Sequence, residues 1–402
     1  MKVLFVTPYL YSETIPGFQK NRTGFGILLE QMTEYIGSRC EVSVFTNVIT
    51  QETHCHDALI LRHTWRDIFL GAGIRGILTG LQEAVHTSGS LSARLRAGYY
   101  RMNCGALRRT IAEVRPDVIH CHGIGIAERW YYDVCRESGI TTIMTLHGLN
   151  ALRTELPEDI RRSEVLFLQD ACGRNWPVSF IASGMVSKMS AEPYLLPHTE
   201  NITVIPNGVG QEEQGEIYAL SLPVGARVCL CVGSVGENKN QLQVVRAYQL
   251  LPESLREQTY LLIAGTIDNK YPIASEINRL GLADHVRLLG FVPHAKVLSL
   301  YQQADLTILA SREEGFGLSL AESFVQGTPC VTFADLDAAG DLYDPCAMLL
   351  CKERSDEALS AVMSQALEAS WDHDAIRRHG QKFSLDTMAD RYVQWYQNVI
   401  KD

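Results

Sequence analysis

Short runs of β-branched and aliphatic residues alternate with longer segments of helical period along almost the whole chain. That alternation restricts it to parallel sheets wound with helices on both faces. The first set of runs is Val3–Val6, Val42–Thr46, Ala58–Leu61, Val118–Cys121, Thr142–Leu146, Val178–Ala182 and Ile202–Ile205. The second is Val228–Val232, Leu261–Ala264, Val286–Leu289, Leu306–Leu309, Cys330–Phe333 and Ala347–Leu350. At 402 residues the chain can bury two cores, so two Rossmann-like, doubly wound α/β domains are expected. The spacing places one over residues 1–209 and the other over residues 216–382. The polar stretch 210–215, Gly-Gln-Glu-Glu-Gln-Gly, reads as the linker. A last segment, 383–402, carries Trp395 and Tyr396 in a helical pattern. Sheets of this kind bind ligands outside the carboxyl ends of their strands, so chemistry is sought there.

Charge and cysteine usage narrow the class. A formal net charge of −10 argues against general nucleic-acid binding, which needs a basic footprint. No unbroken run of about 18 apolar residues is present, so no spanning helix is expected. Met1–Val6 is broken by Pro8 and reads as a first strand, not a secretion signal. Eleven cysteines without framework spacing point to reduced thiols and a cytoplasmic protein.

The segment from Ser311 to Glu322, Ser-Arg-Glu-Glu-Gly-Phe-Gly-Leu-Ser-Leu-Ala-Glu, sets Glu314 and Glu322 around a Gly-Phe-Gly turn at a helix start. Gly315 and Gly317 allow close backbone approach, and the predicted helix ends at Gly327 before Pro329. Its free N–H groups and positive dipole end face the turn, where phosphate can sit. Glu314 can accept hydrogen bonds from sugar hydroxyls, while Glu322, about two turns on, reaches a different part of a ligand, such as a ribose. Lys239 follows a strand in a loop with Gly233 and Gly236 and is the best candidate for charge on a diphosphate.

These motifs stand in a familiar order. Val232-Gly233-Ser234-Val235-Gly236-Glu237-Asn238-Lys239, Leu289-Gly290-Phe291-Val292-Pro293, the Glu314-x7-Glu322 element with Gly327-Thr328-Pro329, Val204–Val209, Arg115–His122 and Thr145–Gly148 together resemble the retaining glycosyltransferases of family 4. The resemblance covers nearly the whole chain and is strongest from Val204 to Val331. It implies a GT-B architecture, two Rossmann-like domains facing across a cleft, with residues 383–402 crossing back to the first domain. It also implies transfer of a hexose from a nucleotide diphosphate to a glycan or lipid-linked glycan, as in polysaccharide biosynthesis.

The residues carried over are Glu314, His122 and Lys239 as catalytic groups. Donor contacts fall to Gly24, His147, Ser234, Asn238, Phe291, Val292, Gly315, Phe316, Gly317, Leu318 and Glu322. His120 sits inside a strand and reads as structural. Where the family usually has an arginine after the first glycine of the Lys239 loop, this chain has Ser234, so Arg312, Arg22 and Lys20 are candidate replacements. No nucleophilic carboxylate is generally accepted for this family, unlike the two-step retaining hydrolases. The implied route is same-face attack, with the departing phosphate taking the acceptor proton.

No metal cofactor is expected. Asp335-Leu336-Asp337 reads as an acidic turn, and His54-Cys55-His56 lacks further ligands at zinc-like spacing. From Arg66 to Arg115 the chain has eight arginines and no lysine against Asp67, Glu83 and Glu113, a local excess of +5. Apolar residues at helical spacing are interspersed. This region reads either as two ordinary helices or as a peripheral contact with the inner face of an anionic membrane. Other reaction classes remain: a sugar-nucleotide epimerase of the same architecture, a non-catalytic nucleotide-binding protein, or a nicotinamide-dependent dehydrogenase. The last lacks Gly-x-Gly-x-x-Gly after its first strand.

Overall fold

Two parallel sheets organise the computed structural model, which describes residues 1–87, 90–123, 126–148, 158–173, 176–181, 202–210 and 217–401. The first sheet contains β1 (Lys2–Thr7), β2 (Glu41–Thr46), β3 (Thr53–Cys55), β4 (Ala58–Ile60), β5 (Val118–His122), β6 (Thr141–Leu146), β7 (Val178–Phe180) and β8 (Ile202–Val204). Its order is β3-β4-β2-β1-β5-β6-β7-β8. The second contains β9 (Arg227–Val232), β10 (Thr259–Ala264), β11 (Val286–Gly290), β12 (Leu306–Leu309), β13 (Cys330–Phe333) and β14 (Met348–Cys351), in the order β11-β10-β9-β12-β13-β14. Among the described residues these strands all pair in parallel except β3 with β4. Most of the expected linker, 211–215, lies outside the described residues, as does Ala182 at the end of one expected strand.

The strands read as near-continuous apolar runs because helices cover both faces of a parallel sheet. In β1, Val3, Leu4, Phe5 and Val6 are all 1% exposed or less. In the second sheet Leu230, Leu261, Ile263, Leu306 and Val331 are fully enclosed. The short strand β3 was not expected. It pairs antiparallel with β4, Thr53 opposite Ile60, after a turn in which His56 takes φ 52°. A three-residue edge strand containing a histidine carries no alternation from which to read it.

The chain divides into two units. Residues Met1–Ile181, β8 and everything from Met388 onward form one, and Asn207–Thr387 form the other. The last helix, Leu385–Lys401, thus places most of its length in the first unit. There Tyr396 Oη meets His120 Nδ1 at 2.7 Å, and Arg39 pairs with Asp390 at 2.7 Å.

Between β4 and β5 the first unit carries helices Trp65–His86 and Leu91–Val114. Thr64 and Asp67 form a reciprocal cap at the start of the first, and Ser90 caps the second through Ala93 N–H at 3.2 Å. Trp65–His86 is long and apolar enough to cross a bilayer by length and composition. The sequence expectation of no spanning helix rested on the lack of an unbroken apolar run, which Arg75, Glu83 and several glycines interrupt without lowering the average below that of a span. The helix is not continuous, however: Gly73 has φ 56° and ψ −173°, which breaks it into two segments.

Candidate functional site

In the second sheet β9 lies between β10 and β12, so the chain leaves β9 on one side and later returns on the other. That is a topological switch point, where doubly wound sheets form their crevice. The loops after β9 and β12 are tied together there by Asn238. Its amide donates to Glu313 O at 3.1 Å, its carbonyl Oδ1 accepts from Glu313 N–H at 3.3 Å, and its backbone O accepts from Arg312 N–H at 2.8 Å. Across this join Lys239 Nζ donates to Glu314 Oε1. Ser311 Oγ donates to the same oxygen at 2.6 Å, and Arg354 holds Ser311 O at 3.0 Å. Gly233 takes φ 138°, and a Cβ there would lie 3.1 Å from Lys239 Cε, so the lysine stem uses the space a side chain would fill.

The helix Leu318–Gln326 begins directly after this carboxylate. Its N-cap is Gly317 at φ 82°, with no side-chain cap, and it closes on left-handed Gly327. Leu320 N–H turns back to Gly317 O at 2.9 Å, while no side chain caps the amides of Leu318 and Ser319, which are left for a ligand to satisfy. Ser319 Oγ is buried beside them and makes no hydrogen bond among the described residues. Phe316 is buried, its ring 6.0 Å from that of Phe383, so it anchors the turn while Gly315 and Leu318 stay partly exposed. Glu322 is held by His294 Nε2 at 2.9 Å and Tyr301 Oη at 3.0 Å.

Two expectations change here. Val292 belongs to the core cluster with Val228, Leu262 and Val297, so its side chain faces inward and only its backbone can meet a ligand, whereas Phe291 is exposed. Asn238, expected as a donor contact, spends its side chain on the join described above. Ser234 is exposed, and its carbonyl accepts from Gln241 at 3.3 Å. Of the candidates for the cation missing at Ser234, Arg312 lies in this unit, with Nη1 3.6 Å from Glu237. Lys20 and Arg22 belong to the first unit, where Arg22 sits over the Tyr11 ring at 5.8 Å.

The first unit has its own switch point, β1 lying between β2 and β5. Gly24 starts the helix Gly24–Gly37 after β1, and Thr23 caps it by accepting from Gly26 N–H at 3.0 Å. A Cβ on Gly24 would meet nothing within 4 Å, so that position is open. Phe25, one residue on, stacks edge-on against His147 with centroids 5.1 Å apart. His122 ends β5, and its Nδ1 lies 3.2 Å from His147 Nε2. The other ring nitrogens, His122 Nε2 and His147 Nδ1, are enclosed and have no hydrogen-bond partner among the described residues. Burial holds His122 well below the ordinary imidazole range and lowers His147 to about 3. The pair is neutral near pH 7, each ring able to give or take one hydrogen bond. His120 differs: Tyr396 Oη at 2.7 Å and Thr145 Oγ1 at 2.6 Å satisfy both its nitrogens, as its place inside a strand suggested.

The expected residues thus gather in two sets, Lys239, Glu314 and Gly315–Leu318 in one unit and Gly24, His122 and His147 in the other. Sequence reasoning missed Arg354 and the buried Ser319 hydroxyl. Arg354 lies far from the motif it supports, and Ser319 follows it without a distinctive pattern. Among the described residues no group of three His, Cys, Asp or Glu side chains is arranged to hold a metal ion. Asp335 pairs with Arg354 at 2.8 Å, and His56 sits 3.1 Å from Glu30.

Comparison with known proteins adds the following. The profile described as Glycosyltransferase Family 4 matches residues 27–213, and that of Glycosyl transferases group 1 matches residues 216–383. No curated protein matches the chain. A sucrose-phosphate synthase from Thermosynechococcus elongatus superposes with TM-score 0.68 at 16% identity, covering 100% of both chains. A glycosyltransferase from Rickettsia africae gives TM-score 0.68 at 14% identity over 100% of this chain and 99% of its own. Anabaena HepE, solved in complex with UDP and glucose, gives 0.65 at 16% identity over 99% and 100%.

Proposed function

The chain belongs to the family 4 type of glycosyltransferases with the GT-B fold, and on that premise we propose that it is a retaining hexosyltransferase. Its donor in this reading is a nucleotide diphosphate sugar, and its acceptor a glycan or lipid-linked glycan. The observation that carries the reading is the junction of Lys239, Ser311 and Glu314 at the β9–β12 switch point, directly before the uncapped start of helix Leu318–Gln326. A carboxylate for sugar hydroxyls, a cation and free amides for a diphosphate are the groups this reaction needs, in adjacent positions. The UDP and glucose present with HepE support a nucleotide sugar as donor.

Transfer breaks the bond between the anomeric carbon and the diphosphate oxygen and makes one to the acceptor oxygen on the same face. The acceptor proton passes to the departing phosphate oxygen. As negative charge grows on the diphosphate, Lys239 and the first-turn amides from Gly317 to Ser319 stabilise it. Glu314 holds sugar hydroxyls while positive charge develops on the ring. Within the first unit, the neutral His122–His147 pair can give or take a hydrogen bond without cost in charge. In this reading Lys239 and the amides supply the positive charge, so transfer proceeds without a divalent cation in the cytoplasm.

Thermal stabilisation by UDP-, GDP- and ADP-sugars identifies the donor, because a ligand of the native state raises the melting temperature. NMR of the product with that donor then reads the linkage. Retained configuration at the anomeric carbon and full activity in EDTA are expected. Inversion, turnover of donor without acceptor as an epimerase would give, or loss of activity in EDTA that manganese restores would overturn the assignment.

A further inference from the structure

The helices between β4 and β5 invert the usual pattern of a water-soluble helix pair. Where they touch, glycines and alanines bring the backbones together, with Met102 packed against Gly80. A Cβ on Gly80 would lie 2.8 Å from Gly98 O, one on Gly98 would lie 2.7 Å from Gly80 O and 3.1 Å from Ala84 Cβ, and one on Gly105 would lie 2.4 Å from Gly71 O. After Gly73 most large apolar side chains point the other way, whereas Ile68, Leu107 and Ile111 are buried. Ile74, Leu78, Leu81 and Val85, at spacings of four, three and four, form one stripe along the segment after Gly73, and they are 81%, 55%, 60% and 67% exposed. Leu91 and Leu95 extend it onto the next helix, and Trp65, Phe69 and Leu70 are exposed on the segment before Gly73.

In water, helices pair by burying their large apolar residues. Backbone contact through glycine and alanine, with leucine and isoleucine outside, is the packing of helices whose surroundings are lipid. Charge selects the kind of surface. Residues 66–115 carry a +5 excess in a chain whose net charge is −10. Arg75 and Arg96, beside the stripe, make no ion pair among the described residues. A second copy of the chain would set the same positive charge against itself, whereas an anionic bilayer complements it. The break at Gly73 leaves Ile74–His86 about 20 Å long at the helical rise, short of the roughly 30 Å needed to span, so the segment lies in the interface instead of crossing.

We propose that the Trp65–Val114 helix pair is a membrane-docking element that lays the Ile74–Leu78–Leu81–Val85 stripe into the surface of an anionic bilayer, with Arg75 and Arg96 at the headgroups. This goes beyond the catalytic reading and bears on its lipid-linked acceptor. Binding is measured without donor or acceptor, so its failure and that of the transferase assignment are distinguishable.

The test is flotation of the full chain with vesicles of phosphatidylcholine, with and without phosphatidylglycerol. At low salt, binding to the anionic vesicles should exceed binding to the neutral ones by about tenfold and weaken as salt is added. Leu78→Asn with Leu81→Asn should lower it by about tenfold, and Arg75→Gln with Arg96→Gln by about threefold, with melting temperatures unchanged because all four side chains face solvent. No flotation with anionic vesicles, equal flotation of the asparagine variant, or equal binding to both vesicle types would overturn the proposal. So would a concentration-dependent dimer in light scattering that the asparagine substitutions abolish.

Discussion

Lys239 Nζ and Glu314 Oε1 are directly hydrogen-bonded across the join of the loops after β9 and β12. The protein's own cation and carboxylate therefore hold each other in position, and in the function proposed above a diphosphate sugar must draw them to different parts of itself. Glu314→Ala and Lys239→Ala should each lower kcat/KM by about a hundredfold or more, from a loss of about 2.7–4 kcal/mol of transition-state stabilisation. Both should stay folded, since Asn238 and Arg354 still tie the loops. Initial rates and circular dichroism check this, and wild-type-like transfer by either variant would refute the assignment.

Ser319 gives a prediction of opposite sign for stability and binding. Its buried hydroxyl has no partner among the described residues, so Ser319→Ala removes an unsatisfied polar group and should leave stability unchanged or raise it by up to about 1 kcal/mol. If the hydroxyl meets the donor's diphosphate, donor affinity should fall by about tenfold, the loss of one hydrogen bond to a charged group. Urea unfolding and calorimetric titration separate the two effects. A variant less stable but equally tight would assign Ser319 to the fold alone.

Gly317 takes φ 82°, and a Cβ there would lie 3.0 Å from Ala338 Cβ. Gly317→Ala should cost about 1–2 kcal/mol from the left-handed conformation and shift the helix start. Activity should then drop more steeply than thermal stability, read by comparing rates with melting temperatures. A variant that loses stability and keeps its rate would show that the amide positions do not matter to transfer.

His120, His122 and His147 are neutral in the fold because burial depresses all three, His147 to about 3. The unfolded chain takes up protons at about pH 6.5, so below that value it binds more than the native state and stability falls. Stability should be full above about pH 7 and decline by up to about 1.4 kcal/mol per pH unit per group as pH drops towards 5. The carboxylates that the fold holds low, Asp67, Glu276 and Asp344, stay ionised throughout that window. Urea midpoints across the range test the sign, and a flat profile would count against the neutral cluster.

Much of this was legible in the chain because strand runs buried on both faces carry their own signal. Each expected strand has a counterpart, while β3 escaped notice as three residues whose pairing depends on a turn at His56. Glu314, Lys239 and Gly317 were legible because a charge, a glycine and a helix start stand at fixed offsets. Asn238 and Val292 were assigned by position in a motif, and position does not reveal which way a side chain points: one clamps a loop and the other fills the core. Arg354 was invisible because its contact with Ser311 spans the sequence from β12 to the loop after β14. The exposed stripe after Gly73 resembles an ordinary amphipathic helix until the glycines show which face is inward.

The C-terminal helix sets an order of assembly. Tyr396 closes on His120, and Tyr392 Oη reaches Thr145 Oγ1 at 3.4 Å, so the interior beside β5 and β6 is finished by residues 276 and 247 positions further along the chain. Closing that interior depends on contacts of high sequence separation, which are slow to form because the loop entropy is spent before the contact rewards it.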